Sequence, residues 1–390
     1  MRLFQRAPSP PRAAAESALG EAIREELERA WAFWRSHAIE LPGMGKPQPG
    51  RTLIPNLYHP RGRRAGADSE YQSFSMMFAL WFNDRAVFDA VWNWTWRHLQ
   101  TRPDDKLFWW AQYENGELGR GTAADGELGC IMALLLAAER WGADAYRKQA
   151  LVIADSFREK CVTTIAGRRI IAAGANDRAS RDFWRPDKGL VCFSNYLMTY
   201  PLSLMARAQP DADWGRVLTD SISLLTDSEK LYGHGFPPMT FRVKFDSGRL
   251  VPGSGENPPW NSFANTSSCR YLSFMLMDAI EGGQASHAYL ARFHKLEDAY
   301  AQSGTLPWGW RDGQNWGPDC WPLLALLSAK RLYQGDEALA SAVFAKASSL
   351  WRAANPADAP GEYLFNHACA MLALIPVSAL MTFKPAVGAV

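Results

Sequence analysis

The chain has 390 residues, 47% of them hydrophobic and 21% charged, the make-up of a soluble globular protein with a large core. A formal net charge of +2 gives no basic field for nucleic acid and no acidic tail, and no apolar run reaches membrane-spanning length uninterrupted. Tryptophan is the outlier, with seventeen copies in a chain that is 12% aromatic; flat indoles suit stacking on sugar faces or filling a wide helical core.

In chain order, residues 1–12 read as a disordered tail, and Met1 to Glu16 lacks the apolar stretch of a secretory signal. A helix is predicted over Ala13–His37, with Ile23, Leu27, Trp31 and Trp34 on one face. Leu41–Gly66, rich in Pro, Gly and Arg, reads as a long ordered loop. Tyr71–Phe82 is an apolar helix stopped at Asn83, and Asp84–Leu99 is amphipathic. Lys106–Gly121 is irregular. Leu128–Trp141 is apolar and ends at Gly142; Ala143–Lys160 is amphipathic. Val162–Ala173 alternates as a hairpin about Ala166-Gly167, and Phe241–Leu250 does so about Asp246-Ser247-Gly248. Between them Gly189–Ala208 reads as an apolar helix and Asp211–Lys230 as an amphipathic one. After a Pro-rich loop, Val251–Trp260, come apolar Phe263–Met277 and amphipathic Ser286–Ser303. Thr305–Gly317 carries three Trp. Apolar Pro318–Leu332, amphipathic Asp336–Ala353 and apolar Tyr363–Leu380 complete the chain.

These twelve helices alternate between one charged face and none. A helix that is hydrophobic all round is buried all round, and short links make successive helices antiparallel neighbours. Six buried helices ringed by six amphipathic ones form an all-α (α/α)6 barrel with small β-hairpin insertions, a single domain over residues 13–385. Parity places the starts of all six inner helices at one end. Glu70, Asp125, Asn195, Ser267, Asp319 and Asn366 are then expected to converge on one mouth. The six Cys form no CxxC pair, and five lie in apolar helical runs, so buried thiols are expected. The His are scattered without HxxxH or HxH spacing, so no metal site or cofactor is expected.

The most informative stretch is Asp68-Ser69-Glu70-Tyr71-Gln72-Ser73-Phe74-Ser75-Met76-Met77. Ser69 with Gln72 has capping-box spacing, making Ser69 the N-cap and Glu70 the first helical residue. A carboxyl on such a half-apolar rim can keep its proton to higher pH, as a general acid must. An acid that only complements the helix dipole is the plainer reading of Glu70 alone. Thr122 and Asp125 repeat the capping-box spacing at the next inner helix, which places a second carboxyl on the same rim. Arg270 lies in apolar surroundings and needs a partner, for which a mouth carboxylate is the natural choice. Glu256 lies in the Pro-rich loop just before, by default a surface acid. Trp109, Trp110, Trp184, Trp260, Trp308, Trp310 and Trp316 fall in loops or at loop edges, where sugar stacking explains them better than burial.

The first of these blocks, with Asn83-Asp84-Arg85-Ala86-Val87-Phe88, Trp92-Asn93-Trp94 and the run from Ala124-Asp125-Gly126-Glu127 to Ala133-Leu134-Leu135-Leu136-Ala137, resembles glycoside hydrolase family 8. The match is close from about residue 68 to 160 and weaker, though collinear, beyond. The resemblance implies an (α/α)6 barrel and inversion by single displacement. It implies Glu70 as general acid and Asp125 as the central aspartate that binds the ring at the cleavage subsite. In many members the base is the Asp of an Asp-Ala-x-Arg motif; here that motif reads Ser267-Ser268-Cys269-Arg270, so the base position is a serine. Another branch takes its base from a loop acid shortly before the same helix, and Glu256, eleven residues upstream of Ser267, is placed for that role; alternatively Asp125 activates the water through Ser267, slowly. Subsite contacts are expected from Tyr71, Gln72, Trp109, Trp110, Trp184, Tyr196, Trp260, Ser267, Arg270 and Trp310. The implied function is an inverting endo-acting hydrolase of a β-1,4-linked polysaccharide, acting as a monomer. Cellulose-type glucan comes first, with chitosan, mixed-linkage glucan and xylan as other substrates. The alternative is a glycan-binding protein of the same fold that has lost its base. A scaffold for protein partners and a polysaccharide lyase fit the residues less well. Family members are usually secreted or periplasmic.

Overall fold

The protein is described from a computed structural model, over residues 17–41, 48–57, 61–233, 235–253, 264–265, 269–311, 314–317, 319–358 and 360–381. The opening helix α1 (Ala18–His37) begins where the Ser17 hydroxyl accepts from Gly20 N at 3.2 Å. Its buried residues Ile23, Leu27, Ala30, Trp31 and Trp34 recur at three- and four-residue steps, which lays one face on the barrel. The helices that follow are α2 (Ser69–Trp81), α3 (Arg85–His98), α4 (Ala124–Trp141), α5 (Asp144–Cys161), α6 (Thr199–Ala208) and α7 (Trp214–Ser228). Then come α8 (Tyr271–Ile280), α9 (Gln284–Arg292), α10 (Lys295–Ser303), α11 (Trp321–Tyr333), α12 (Glu337–Ala353) and α13 (Pro360–Leu374).

Inner helices α2, α4, α6, α8, α11 and α13 pack each against the next. Tyr71 of α2 closes the ring by donating its hydroxyl to Gly361 O of α13 at 3.3 Å. Outer helices lie on the odd gaps, with α1 against α13 and α12. This is the (α/α)6 barrel that the alternation predicts.

The predicted outer helix Ser286–Ser303 is broken into α9 and α10 at Phe293, whose backbone is extended (φ −90°, ψ 101°). The buried Lys330 ammonium donates to the Phe293 carbonyl and to Glu297, which takes that carbonyl out of the helical ladder. The predicted helix Gly189–Ala208 is helical only in its second half. Gly189–Phe193 is a strand, because a short apolar run buried on both faces has no period that separates strand from helix.

Small sheets decorate the barrel. Strands β1 (Ile54–Leu57), β2 (Arg64–Asp68), β3 (Ala111–Tyr113) and β4 (Leu118–Gly119) form one antiparallel sheet in that order. It is built from the two stretches expected as a loop and as irregular chain. Hairpin β5 (Val162–Ile165) and β6 (Arg168–Ile171) turns at Ala166-Gly167, as predicted. Strands β7 (Trp184–Arg185), β8 (Gly189–Phe193), β9 (Thr240–Val243) and β10 (Leu250–Pro252) make a second four-stranded sheet in the order β10-β9-β8-β7. Strands β11 (Ala264–Asn265), β12 (Gly309–Arg311) and β13 (Gln314–Trp316) make a three-stranded one. All six cysteines are buried and unbridged, and among the described residues no helix is long and apolar enough to cross a membrane.

Candidate active site

Strand β2 runs directly into α2, and its last residue starts the helix. Asp68 Oδ1 accepts from Tyr71 N at 2.7 Å, so Asp68 is the N-cap and the predicted cap, Ser69, is already helical. Asp68 pairs with Ala111 of β3 at the strand end, which leaves it extended as a cap must be and puts Ser69 inside the helix. Ser69 N is held instead by Trp110 O at 2.9 Å, beside β3. Every residue of α2 except Glu70 is buried; the Glu70 side chain keeps 19% exposure.

A glycine brings the second carboxyl within reach. A Cβ on Gly126 would lie 2.1 Å from Ser69 Oγ, and one on Gly129 would lie 2.4 Å from Ser73 Oγ. Small residues on both sides let α2 and α4 meet at van der Waals distance, so Glu70 and Asp125 become neighbours. Asp125 is 4% exposed and its Oδ1 accepts from Gly126 N at 3.0 Å. The predicted capping box is absent: α4 has no side-chain cap, because Thr122 Oγ1 is taken by Ala175 N at 2.7 Å.

Arg270, immediately before α8, joins the two acids. Its Nη1 donates to Glu70 Oε1 and its Nη2 to Asp125 Oδ2 at 3.4 Å. The guanidinium lies over the rings of Phe74 and Phe365, 5.4 and 5.3 Å from their centroids, and the residue is 3% exposed. Burial works against its charge, but the Glu70 and Asp125 carboxyls outweigh burial and hold it protonated. Burial pushes the Asp125 carboxyl well above the usual range, the neighbouring Glu70 pushes it further, and Arg270 pulls it back. Asp68 is raised well above its ordinary value first by burial and then by Glu70. The Tyr196 phenol is raised by burial and by the Asp125 and Glu70 charges it faces.

Other expected contacts divide. Gln72 is fully buried and spends its amide on the wall: Oε1 accepts from Thr52 N at 2.5 Å, and Nε2 donates to Gly50 O and Thr95 Oγ1 at 3.1 and 2.8 Å. Fully buried and engaged by the wall, its amide faces away from the position expected of a substrate contact. Tyr71 is buried against Trp34 and Phe365. Trp109 and Trp110 are half-buried at the start of β3; Trp109 lies 4.8 Å from the Arg102 guanidinium, and Trp110 meets Tyr113 edge-on. Trp184 is half-buried and its indole N–H donates to Gly174 O at 2.9 Å.

Trp310 lies in β12, paired with Ala264. Glu256, Trp260 and Ser267 lie outside the described residues. Of the other polar residues expected at the mouth, Asn195 is buried just before Tyr196, Asp319 is paired with Lys346 of α12 at 2.9 Å, and Asn366 sits well inside α13, which begins at Pro360. A surface hollow lined by Arg64, Ala65, Glu114 and Asn115 lies toward the far end of β2 from Asp68. Among the described residues no group of three or more His, Cys, Asp or Glu is arranged to hold a metal ion. The residue that sequence reasoning passed over is Asp68, although an aspartate beside Ser69 is an equally good N-cap candidate and was the signal.

A ring of buried helices with paired carboxyl groups at one end is the plan of a barrel-type glycoside hydrolase. The chain belongs to glycosyl hydrolases family 8, whose sequence model matches residues 17–307. It is 30% identical over 177 residues to an endoglucanase of Xanthomonas axonopodis pv. citri, covering 44% of each chain. It is 25% identical over 208 residues to an endoglucanase of Pseudomonas fluorescens, covering 51% of this chain and 48% of that one. The matched segments thus span about half the length of these curated relatives. The endo-β-1,4-glucanase CMCax of Acetobacter xylinum superposes with a TM-score of 0.66 at 19% identity, over 90% of this chain and 97% of that one. A β-1,3-1,4-glucanase from Paenibacillus sp. X4 gives 0.70 at 15% identity, over 98% and 97%. At these identities the two structures establish the fold.

Proposed function

We propose that this chain is an inverting, endo-acting hydrolase of a β-1,4-linked polysaccharide, with a cellulose-type glucan as the first candidate substrate. The observation that carries the reading is the joint engagement of Glu70 and Asp125 by the buried Arg270. Glu70, the exposed edge of an otherwise buried helix, is the general acid: its proton goes to the glycosidic oxygen as the C–O bond breaks. Asp125 holds the ring at the cleavage subsite, with Tyr196 beside it. The curated endoglucanase relatives favour a glucan.

Inversion needs a base about 6.5–9.5 Å from the acid, with water between. Glu70 and Asp125 are held by the same guanidinium, which favours a base drawn from elsewhere over Asp125. We assign that role to Glu256, in the loop ahead of Arg270. A serine at the family's usual base position, Ser267, favours the second reading, a glycan-binding protein without turnover.

One experiment separates them: wild type, Glu70→Gln and Glu256→Gln assayed on carboxymethylcellulose, lichenan, chitosan and xylan, with the product anomer read by proton NMR. The hydrolase reading expects wild-type release of reducing ends with inverted configuration, and loss of about 10²–10⁴-fold in Glu70→Gln. Binding without turnover on every substrate establishes the second reading instead.

A further inference from the structure

Two loops border the site acids, and one buried arginine joins them. The first runs from the end of α3 to β3; its Trp110 carbonyl accepts from Ser69 N at 2.9 Å, next to Glu70. The second runs from β6 to β7; its Ala173 carbonyl accepts from Ala124 N at 3.2 Å, next to Asp125, and its Ala175 N donates to Thr122 Oγ1 at 2.7 Å. Arg102 of the first loop has a side chain only 5% exposed. It forks onto Asp105 of its own loop, Nε to Oδ1 and Nη2 to Oδ2 at 2.8 Å each, and Nη2 also donates to Asp177 Oδ2 of the second loop at 2.6 Å. The same guanidinium lies over the Trp109 ring, 4.8 Å from its centroid, and Trp109 stays half-buried.

We propose that Arg102 is a positioning residue for the glycan: it clamps the two loops together at the mouth and holds Trp109 as a fixed stacking face for a sugar ring. The inference rests on the reading of the mouth as a glycan cleft and names a group that takes no part in bond breaking. The two-pronged pairing with Asp105 fixes the plane of the guanidinium. A cation set over an indole is attracted to the ring face and steadies it. Trp109 N donates to Leu99 O at 2.8 Å, which fixes the backbone that carries the ring. A stacking face ordered before the sugar arrives loses little freedom on binding. Without the bond to Asp177, Arg102 no longer ties the second loop, with Trp184 at its end, to the first, and the sugar itself must order Trp109. The cost falls on binding, so KM changes more than the chemical step does.

The test is a double-mutant cycle, run on whichever of cellohexaose, the glucosamine hexamer and xylohexaose the wild type handles best. Asp177→Asn keeps an acceptor for Ser180 N, which Asp177 Oδ1 now binds at 2.8 Å, and turns an amide donor toward Arg102. Arg102→Met removes the clamp outright; its melting temperature shows whether it folds, and Asp177→Asn carries the test if it does not. Both are expected to raise KM about 2–10-fold, with a smaller change in kcat. In a Trp109→Ala background the same substitutions should add less than about twofold. A merely structural role costs the same factor in both backgrounds, and that result overturns the proposal, as does an unmoved KM in the wild-type background. If the wild type binds without turnover, the hydrolase reading fails on its own. The cycle is then read on Kd by calorimetry, with the same coupling supporting the clamp and the same additivity overturning it. If the wild type binds none of the three, the mouth is not a glycan cleft and the proposal falls with that reading.

Discussion

Arg270 and Glu70 stand 200 positions apart in the chain and are hydrogen-bonded partners at the mouth of the barrel. The bond ties the start of α8 to the start of α2, and the second arm of the same guanidinium reaches Asp125 on α4. One side chain thus sets the spacing of two carboxyls that the chain brings from separate hairpins.

Replacing Arg270 by Met keeps most of the volume and removes the charge. Breaking a buried ion pair from one side costs about 3–5 kcal/mol, and displacing the carboxyls by even an ångström can cost about 10²-fold in rate. Arg270→Met is expected to show both losses. Arg270→Lys should recover stability better than activity, because a point charge cannot bridge the two acids as a planar fork does. Urea unfolding and kcat/KM check the two parts independently.

Gly126→Ala would put a methyl group 2.1 Å from Ser69 Oγ. Overpacking of this kind costs about 1–3 kcal/mol, and here the strain falls on the two helix turns that carry Glu70 and Asp125. Activity is expected to fall more than stability. Adding Ser69→Gly removes the obstructing atoms and should return much of the activity. Full activity in Gly126→Ala alone would show that the close approach of α2 and α4 is dispensable.

Glu127 is fully buried one turn into α4, and burial pushes its carboxyl up to about 8. In the folded state it holds its proton across a range where the unfolded chain releases it. Its contribution to stability is complete below pH 4.5 and is lost as pH rises towards 8. Glu127→Gln removes that dependence and leaves an acceptor for Phe108 N, which Glu127 Oε1 now binds at 3.1 Å. The melting temperature of the variant relative to wild type is expected to rise between pH 5 and pH 9. A gap that stays constant would mean the carboxyl is already ionised in the fold.

His367 has the opposite dependence. It is fully buried, and burial depresses its imidazole to about 3. The unfolded chain takes up a proton below about 6.5 and the folded one does not, so stability falls on acidification by about 1.4 kcal/mol per pH unit between pH 6 and pH 4. His367→Gln can serve the same two partners and should flatten the acid side of the stability curve. Thermal melts at pH 4, 5, 6 and 7 measure the slope directly.

The barrel was legible because alternate helices differ in how many faces they bury, and burial leaves its period in the sequence. The mouth was legible where chemistry is costly: an arginine among apolar residues needs a carboxylate, and Arg270 has two. What the sequence hid was competition between equivalent local choices. Asp68 and Ser69 can both cap α2, and only the pairing of β2 with β3 decides for Asp68. Gln72 looks like a substrate contact because it adjoins Glu70, yet helical geometry turns it to the opposite face, where it binds loop backbone. The strand at Gly189–Phe193 looked helical because its partner β9 lies about fifty residues away. Nothing in the local pattern marks Gly126 as the contact point of two helices; only the packed structure does.

The last helix and the first are locked together deep in the core. Trp351 Nε1 donates to His367 Nδ1 at 3.0 Å, and His367 Nε2 donates to Ala30 O at 2.9 Å. Glu26 of α1 accepts from Ser348 and Arg352 of α12. A ring joined in this way has no finished intermediate during synthesis. A nascent chain that still lacks α13 leaves Tyr71 and the flank of α2 uncovered, beside Glu70. The ring is therefore completed late and all at once, when α13 is made and seals the cylinder. Until then the greasy seam between α1 and α2 is open, and that is the stage at which such a chain most needs protection from its neighbours.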